Sequence, residues 1–287
     1  MFETIGEMLK LSFVNRAIIV GSLVSLCAAL LGVSLVLKRY SNIGDGLSHV
    51  GFGITTVAVG LGATSTLPIA IPVVIIVAIL LLKVGNNHKI KSDSAIAIIS
   101  SSALAIGVAV TSVTSGLNTD ICNFMFGSIL AMSISDVILS IAVSIIVLVL
   151  FVVYYRKLFA VTFDEDYSKA IGLKTGRYTN LIAILTAIVI VVGMRMMGTL
   201  LISSIIIFPA LTAMKICKSY KRVVIGSGVI SVFCFLVGIF LSYVYNISTG
   251  AMIVIVNLVL FLLFTLLDKV IKEWSMMNEK EWNGNGR

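Results

Sequence analysis

Long apolar runs, separated by short polar connections, make up most of this chain of 287 residues. A helix needs about 20 predominantly apolar residues to cross a bilayer. At that length the pattern predicts nine membrane-spanning helices, within a range of eight to ten because several connections are very short. The predicted spans are residues 14–37, 44–62, 66–83, 94–115, 137–155, 178–195, 198–215, 223–245 and 250–271. We therefore expect an all-α fold, that of a polytopic helical membrane protein.

Other segments of the chain do not fit a simple span. Residues 1–13 separate apolar from charged positions on a helix, which predicts an interfacial N-terminal helix. Residues 121–135 are apolar but too short to cross, which indicates a re-entrant or broken helix packed inside protein. Residues 160–177 form a long polar connection inside the transmembrane domain, which we place at 14–272, and residues 273–287 form a polar tail.

Composition and charge strengthen the membrane assignment and orient the chain. The sequence is 59% hydrophobic and 12% charged, whereas soluble domains carry about 25% charged residues. Its formal charge of +8 comes largely from basic clusters between the spans, which marks cytoplasmic loops and not nucleic-acid binding. This places the C-terminus and the tail in the cytoplasm and, with nine spans, the N-terminus outside. Arg195 is an exception, because it falls at an outer turn.

The connection 160–177 carries the pattern of a short helix on the cytoplasmic side. Thr162 and Glu165 have the spacing of a capping box, and acidic residues fill the first turn, where the helix dipole favours anions. Gly172 is a suitable C-terminal cap. The pattern predicts a helix from about Phe163 to Ile171. Two interpretations remain open, namely a solvated connector, or a docking helix that presents Phe163 and Tyr167 to a cytoplasmic partner.

The stretch SNIGDGLSHVGFG places a carboxylate and an imidazole at the start of the second span. Asp45 and His49 are four positions apart, so they share one face of a helix and can meet one ion. An oxygen and a nitrogen ligand suit manganese, iron or zinc. The alternative is an Asp–His hydrogen bond that joins two helices. Flanking glycines allow close helix approach. Two ligands do not fill a coordination shell, and a symmetric dimer would supply two Asp and two His.

Other candidate residues are less specific. Arg195 is either an interfacial anchor or a charge near an outer gate, and Pro209 is a kink or hinge candidate. Met194, Met196 and Met197 are packing residues or soft ligands. Cys122, one of four cysteines without CxxC spacing, is a metal ligand or a buried apolar residue. No GxxxxGK[ST] motif occurs, so ATP hydrolysis has to come from another polypeptide.

Several blocks in order along the chain resemble the ABC-3 class of metal-ion ABC permeases, the manganese, zinc and iron importers. They are LVLKRYSNIGDGLSHVGFG, NFMFGSILAMSISDV, FDEDYSKAIGLKTG, GMRMMGTLLISSIIIFPALTAM and LSYVYNISTGAMIV. The resemblance implies a multi-pass permease of the bacterial plasma membrane, working as a homodimer or with a closely related copy. It further implies separate cytoplasmic P-loop ATPases and an extracytoplasmic solute-binding protein that delivers the metal. It implies no permanently bound cofactor, only a transported divalent metal.

The resemblance also assigns residues. Asp45 and His49 become the pair that coordinates the ion on the translocation path, and Gly46 stands where many members carry Ala, which loosens the helix there. The coupling helix that docks in the ATPase takes in Phe163, Asp164, Glu165, Asp166, Tyr167, Ala170 and Gly172.

Two other functions stay open on the residues alone. A permease for a chelated metal or a vitamin would need a wide cavity and no direct ligands. A stand-alone secondary transporter or a polytopic membrane enzyme would work without any ATPase. A P-loop ATPase that copurifies from native membranes separates the second class from an ABC permease.

Overall fold

The computed structural model describes residues 10, 12–63, 66–85, 92–114 and 134–284, with side chains as far as residue 270. The described part of the chain is almost entirely helical, with turns between consecutive helices. The helices are α1 (Ser12–Leu37), α2 (Ile43–Gly60), α3 (Leu67–Gly85), α4 (Ser92–Val113), α5 (Ile134–Phe163), α6 (Glu165–Ala170), α7 (Thr175–Met197), α8 (Thr199–Ile216), α9 (Tyr220–Tyr245) and α10 (Thr249–Gly284).

The predicted all-α membrane fold is confirmed. Each predicted span corresponds to one long helix, and eight of the helices that the structure describes are long and apolar enough to cross a membrane. The remaining long helix, α2, falls short in hydropathy because it carries Asp45, His49 and several glycines. The predicted interfacial helix and the predicted re-entrant segment lie almost wholly outside the described residues, while α10 continues to Gly284 and so includes most of the polar tail.

Helices α1 and α7 form the centre of the bundle, because most of their apolar residues are buried, whereas α4 and α10 keep most of theirs exposed. Serines of α9 bind the backbone of α1. The hydroxyl of Ser227 donates to the carbonyl of Ala29 at 3.1 Å, and that of Ser231 to the carbonyl of Ser25 at 2.9 Å. Small polar residues of this kind join helices in membranes, where burying apolar surface gives little driving force.

Helix α5 is longer than a bilayer requires. Its 30 residues span about 45 Å, against a hydrocarbon core of about 30 Å. The C-terminal part of α5 packs on the start of α9 through Tyr220, whose ring centre lies 5.7 Å from Tyr155 and 4.7 Å from Phe159. The structure thereby holds the end of α5, where α6 begins, in a fixed position.

Candidate metal site

Asp45 and His49 lie on one face of α2, as their spacing predicts. Nε2 of His49 is 3.5 Å from Oδ1 of Asp45. The imidazole is largely buried, with 14% of its side chain exposed, whereas the Asp45 carboxylate is 52% exposed. One nitrogen and one oxygen donor therefore converge at a position that is open on the carboxylate side.

The start of α2 and the second turn of α8 meet at this pair. Helix α2 begins two residues before Asp45, and Ser48 in its first turns donates a hydrogen bond to the Asp45 carbonyl at 2.7 Å. Helix α8 begins at Thr199, immediately after the break at Gly198, where φ is +86°. Ser203, one turn into α8, lies 3.4 Å from Oδ1 of Asp45. Asp45 lies in the first turn of α2, where the positive end of the helix dipole favours a negative charge, and this keeps the carboxylate ready to bind a cation.

The Asp–His contact does not itself join two helices, because both residues belong to α2. The contact that crosses to another helix here is the one between Asp45 and Ser203. The alternative interpretation, an Asp–His hydrogen bond that joins two helices, therefore does not describe this pair.

Glycines of α2 bring α4 and α7 close to the pair. A Cβ added at Gly46 would lie 2.7 Å from Cγ2 of Ile96, and one added at Gly53 would lie 2.5 Å from the carbonyl oxygen of Ala103. At Gly51 the added atom would lie 2.6 Å from the sulfur of Met194. The predicted close approach of helices around the pair is thus present, and it depends on the absence of side chains at these positions.

The described residues of one chain hold no group of three or more His, Cys, Asp and Glu side chains that could bind a metal. Asp45 and His49 are two donors, and the Ser203 hydroxyl oxygen is a third polar atom beside them. Divalent transition metals take four to six ligands. The pair can hold an ion from one side, and the remaining ligands have to come from outside this set.

The predicted cytoplasmic helix is present as α6, with a different cap from the one expected. The side chain of Asp164, not that of Thr162, caps α6 by accepting a hydrogen bond from the Tyr167 amide at 2.8 Å. Thr162 is buried inside α5, which continues to Phe163 and so keeps Thr162 from acting as a cap. Gly172 ends the segment with φ of +82°, a conformation that glycine adopts without strain.

The residues around α6 present apolar side chains to the outside. Phe163 is 73% exposed and Tyr167 is 62% exposed, and Ile171 follows with 55%. Phe163 belongs to the end of α5 and Tyr167 to α6, so the two residues flank the junction and do not lie on one continuous helix. Exposed aromatic and aliphatic residues next to charged ones, as in α6, are typical of a protein-binding surface.

The remaining candidate residues have clear positions in the fold. Arg195 at the end of α7 pairs with Asp136 in the first turn of α5, with 3.4 Å between Nη1 and Oδ1. Pro209 lies inside α8. Met194, Met196 and Met197 are almost completely buried, which favours their interpretation as packing residues. Cys122 lies outside the described residues, and Cys27, Cys217 and Cys234 are free thiols.

Sequence reasoning missed two residues near these sites. Ser203 lies in a long apolar block of the sequence. The only sequence feature that could have indicated a role for it is its position one turn after Gly198, where the chain breaks between two helices. Lys38 belongs to one of the basic clusters between the spans, which gives no sign that its side chain is only 9% exposed and lies 3.4 Å from Glu165 of α6. Neither contact is visible from local spacing, because each joins residues far apart in the chain.

Comparison with known proteins gives consistent matches over almost the whole chain. The family model described as "ABC 3 transport family" matches residues 10–268. The manganese import system permease protein ScaB of Streptococcus gordonii is 32% identical over 250 residues, which are 87% of this chain and 89% of the relative. The manganese transport system membrane protein MntC of Halalkalibacterium halodurans is 27% identical, covering 90% of this chain and 88% of its own.

Two solved structures have a similar fold. PsaBC from Streptococcus pneumoniae, solved in complex with Fab, superposes with a TM-score of 0.81 at 31% identity, over 91% of this chain and 94% of that chain. An inward-facing putative metal-chelate type ABC transporter superposes with a TM-score of 0.70 at 15% identity, over 88% of this chain and 85% of that chain. The second likeness is one of fold alone.

Proposed function

This chain belongs to the ABC 3 transport family, and we propose that it is the membrane permease subunit of an ATP-driven importer of divalent transition-metal ions in the bacterial plasma membrane. Its two relatives named above are membrane proteins of manganese import and manganese transport systems, which makes manganese the first candidate for the cargo. The observation that carries the proposal is the pair Asp45 and His49, whose donor atoms lie 3.5 Å apart in the first two turns of α2.

The proposed transport path uses the pair as a transient binding site. A carboxylate and an imidazole replace part of the hydration shell of an entering ion, and they suit manganese as well as iron or zinc. An import site also has to release its ion, and a site with few ligands from each chain is suited to release. The cargo is a substrate of this site and not a resident cofactor.

We place the missing ligands in a second permease copy. Asp45 is 52% exposed on one chain although it lies among apolar helices, and an isolated carboxylate in contact with lipid would be expensive. A two-fold axis beside α2 would cover this carboxylate and bring two Asp and two His together. This is the contact that the homodimer implied by the resemblance would make.

The cytoplasmic surface of α6 is the proposed docking site for separate P-loop ATPase subunits. The exposed side chains of Phe163, Tyr167 and Ile171 fit an apolar pocket, and the acidic first turn of α6 suits a basic rim. An extracytoplasmic solute-binding protein would deliver the metal on the opposite side. ATP hydrolysis belongs to the partner subunits in this assignment, so the chain itself is a transporter subunit and not an enzyme.

Uptake by reconstituted vesicles tests the proposal. The complex of this chain with its ATPase subunits is placed in liposomes, and ATP-driven uptake of manganese, zinc and iron is measured separately in the presence of the binding protein. Asp45→Ala and His49→Ala are expected to reduce uptake to the background of empty liposomes while the complex still assembles. Ser41→Ala, a change in the preceding turn, is the control.

The outcomes separate the three candidate functions. Normal uptake of all three metals by both variants contradicts the proposed site. Uptake of a metal chelate or vitamin that does not depend on Asp45 and His49 favours the second kind of permease, and uptake without any ATPase favours a secondary transporter.

A further inference from the structure

Lys38 is a charged residue in an unusual place. It lies in the turn between α1 and α2, and only 9% of its side chain is exposed. A buried ammonium group loses the hydration that stabilises its charge, so proteins rarely bury lysine without a partner. Burial accordingly lowers the pKa of Lys38, and the nearby Glu165 carboxylate offsets part of that effect.

The partners of Lys38 belong to two other elements. Its Nζ lies 3.4 Å from Oε2 of Glu165, in the first turn of α6, and 3.0 Å from the hydroxyl of Thr179 in α7. Lys38 therefore connects the α1–α2 turn to the segment that is exposed for docking. Glu165 also contacts Lys169 at 3.3 Å, but this second lysine is more than half exposed.

Both lysines favour the charged form of Glu165. Its own partial burial raises its pKa, but Lys38 and Lys169 act in the opposite direction and more strongly, so that the net pKa is lowered. For Lys38 the effect of burial on the pKa outweighs that of its partner, whereas for Glu165 the lysines outweigh burial. The difference arises because the side chain of Lys38 is 9% exposed and that of Glu165 is 30% exposed. A pair of this kind adds little stability compared with apolar packing, and its best-attested use is to fix one arrangement of two elements.

The turn that follows Lys38 is short and internally bonded. The amide of Arg39 donates to the carbonyl of Val36 and that of Tyr40 to Leu35, and Arg39 has φ of +61°. The Ile43 amide, at the start of α2, donates to the carbonyl of Tyr40 at 3.0 Å. A residue other than glycine with positive φ persists only where its surroundings hold it. The turn is therefore a stiff connection from Lys38 to the helix that carries Asp45 and His49.

We propose that Lys38 is a positioning residue that transmits the movement of α6 to the metal-binding helix α2. When a docked ATPase displaces α6, the ion pair with Glu165 carries Lys38 with it, and the stiff turn passes the displacement to the first turns of α2. The ion pair thus links ATP hydrolysis to the geometry of Asp45 and His49. This inference rests on the proposed function, since it presupposes that α6 binds the ATPase and that α2 binds the metal.

A double-mutant cycle on the complete complex tests it. Lys38→Met keeps the apolar stem and removes the charge, Glu165→Gln removes the partner, and the double variant removes both. Each is reconstituted with the ATPase subunits and the binding protein, and ATP hydrolysis and manganese uptake are measured in the same vesicles. Lys215→Met, a change at an exposed lysine near the end of α8, is the matched control.

The measured quantity is the number of ATP molecules hydrolysed per manganese ion taken up. Each single variant is expected to raise this ratio by about tenfold, the size of effect found for residues that couple two sites. The ratio of the double variant is expected to be no higher than the higher of the two single-variant ratios, because the effects of residues that act as a pair do not add. The reversed pair, Lys38→Glu with Glu165→Lys, is expected to restore part of the coupling.

Ratios unchanged from the wild type, or effects that simply add in the double variant, overturn the inference. Should a single variant fail to assemble, the double variant decides, because it leaves no buried charge without a partner: a normal ratio overturns the inference and a raised ratio supports it. Asp45→Ala in parallel vesicles separates this result from the proposed function. If Asp45→Ala still takes up manganese, the metal site has failed, whatever the Lys38 variants do.

Discussion

The Ser203 hydroxyl oxygen lies 3.4 Å from Oδ1 of Asp45, and the same oxygen lies 2.9 Å from the carbonyl oxygen of Thr199. A hydroxyl has one proton, and the shorter distance favours its donation to Thr199. The same hydroxyl can turn to donate to the Asp45 carboxylate instead. When a cation occupies the carboxylate, the proton can stay on the Thr199 side and the lone pairs of the Ser203 oxygen become available to the cation, so Ser203 is placed to act as a third oxygen donor.

Ser203→Ala is therefore expected to weaken manganese uptake without abolishing it. The hydroxyl is a supporting group and not one of the two principal donors, and loss of such a group costs about tenfold in metal affinity. The measurement is the manganese concentration that gives half-maximal uptake in vesicles. Ser204→Ala is the control, because Ser204 is also buried in α8 and bonds its own backbone, at Leu201. Equal values for the two variants would show that Ser203 has no special contact with the ion.

Local geometry explains which parts of this site the sequence could predict. A spacing of four residues puts Asp45 and His49 on one face of any helix, and the length of apolar runs locates the spans. Ser203 is 158 residues from Asp45, and only the packing of α8 against α2 brings them together. The cap of α6 was wrongly predicted at Thr162, because α5 continues to Phe163 and local spacing does not show where one helix ends and the next begins.

Gly53 and Gly46 are expected to respond differently to alanine. A Cβ at Gly53 would lie 2.5 Å from a backbone oxygen of α4, whereas one at Gly46 would lie 2.7 Å from a methyl group of Ile96. Backbone cannot move aside without separating the helices, but the Ile96 side chain can rotate. Gly53→Ala is thus expected to destabilise the protein by about 1–3 kcal/mol, the usual cost of overpacking, and Gly46→Ala by clearly less.

Thermal unfolding of both variants in the same detergent measures the difference. Gly176→Ala is the control, since a Cβ there would meet no atom within 4 Å. A melting temperature for Gly53→Ala as high as that of Gly46→Ala would mean that α2 and α4 do not require this close approach.

Phe163 and Tyr167 are expected to be anchors for the ATPase. Both side chains are mostly exposed at the α5–α6 junction, and aromatic anchors at the centre of an interface contribute at least about 2 kcal/mol each. The double variant Phe163→Ala/Tyr167→Ala should therefore copurify with much less ATPase. Quantitative copurification from membranes measures the effect. Tyr245→Ala, a change at an exposed tyrosine at the end of α9, is the control.

Undiminished copurification, together with a normal rate of ATP hydrolysis, would contradict docking at this junction. A loss that also occurs in the Tyr245→Ala control would point to general instability of the detergent-solubilised protein. The fold of the permease is checked in both variants by thermal unfolding, because Phe163 also packs on Phe159, with 5.8 Å between the ring centres.

Arg195 and Asp136 are expected to fasten α7 to α5 through an ion pair that salt can weaken. The two charged atoms are 3.4 Å apart, and about a third of each side chain is exposed. Partly exposed pairs contribute about 0.2–1 kcal/mol, and added salt screens them. Arg195→Met should lower the melting temperature at low ionic strength, and this difference should shrink at high salt. Because the pair depends on opposite charges and not on which helix carries which, Arg195→Asp with Asp136→Arg should recover more stability than either single change. A deficit in Arg195→Met that is the same at all salt concentrations would instead assign the role of Arg195 to the packing of its apolar stem.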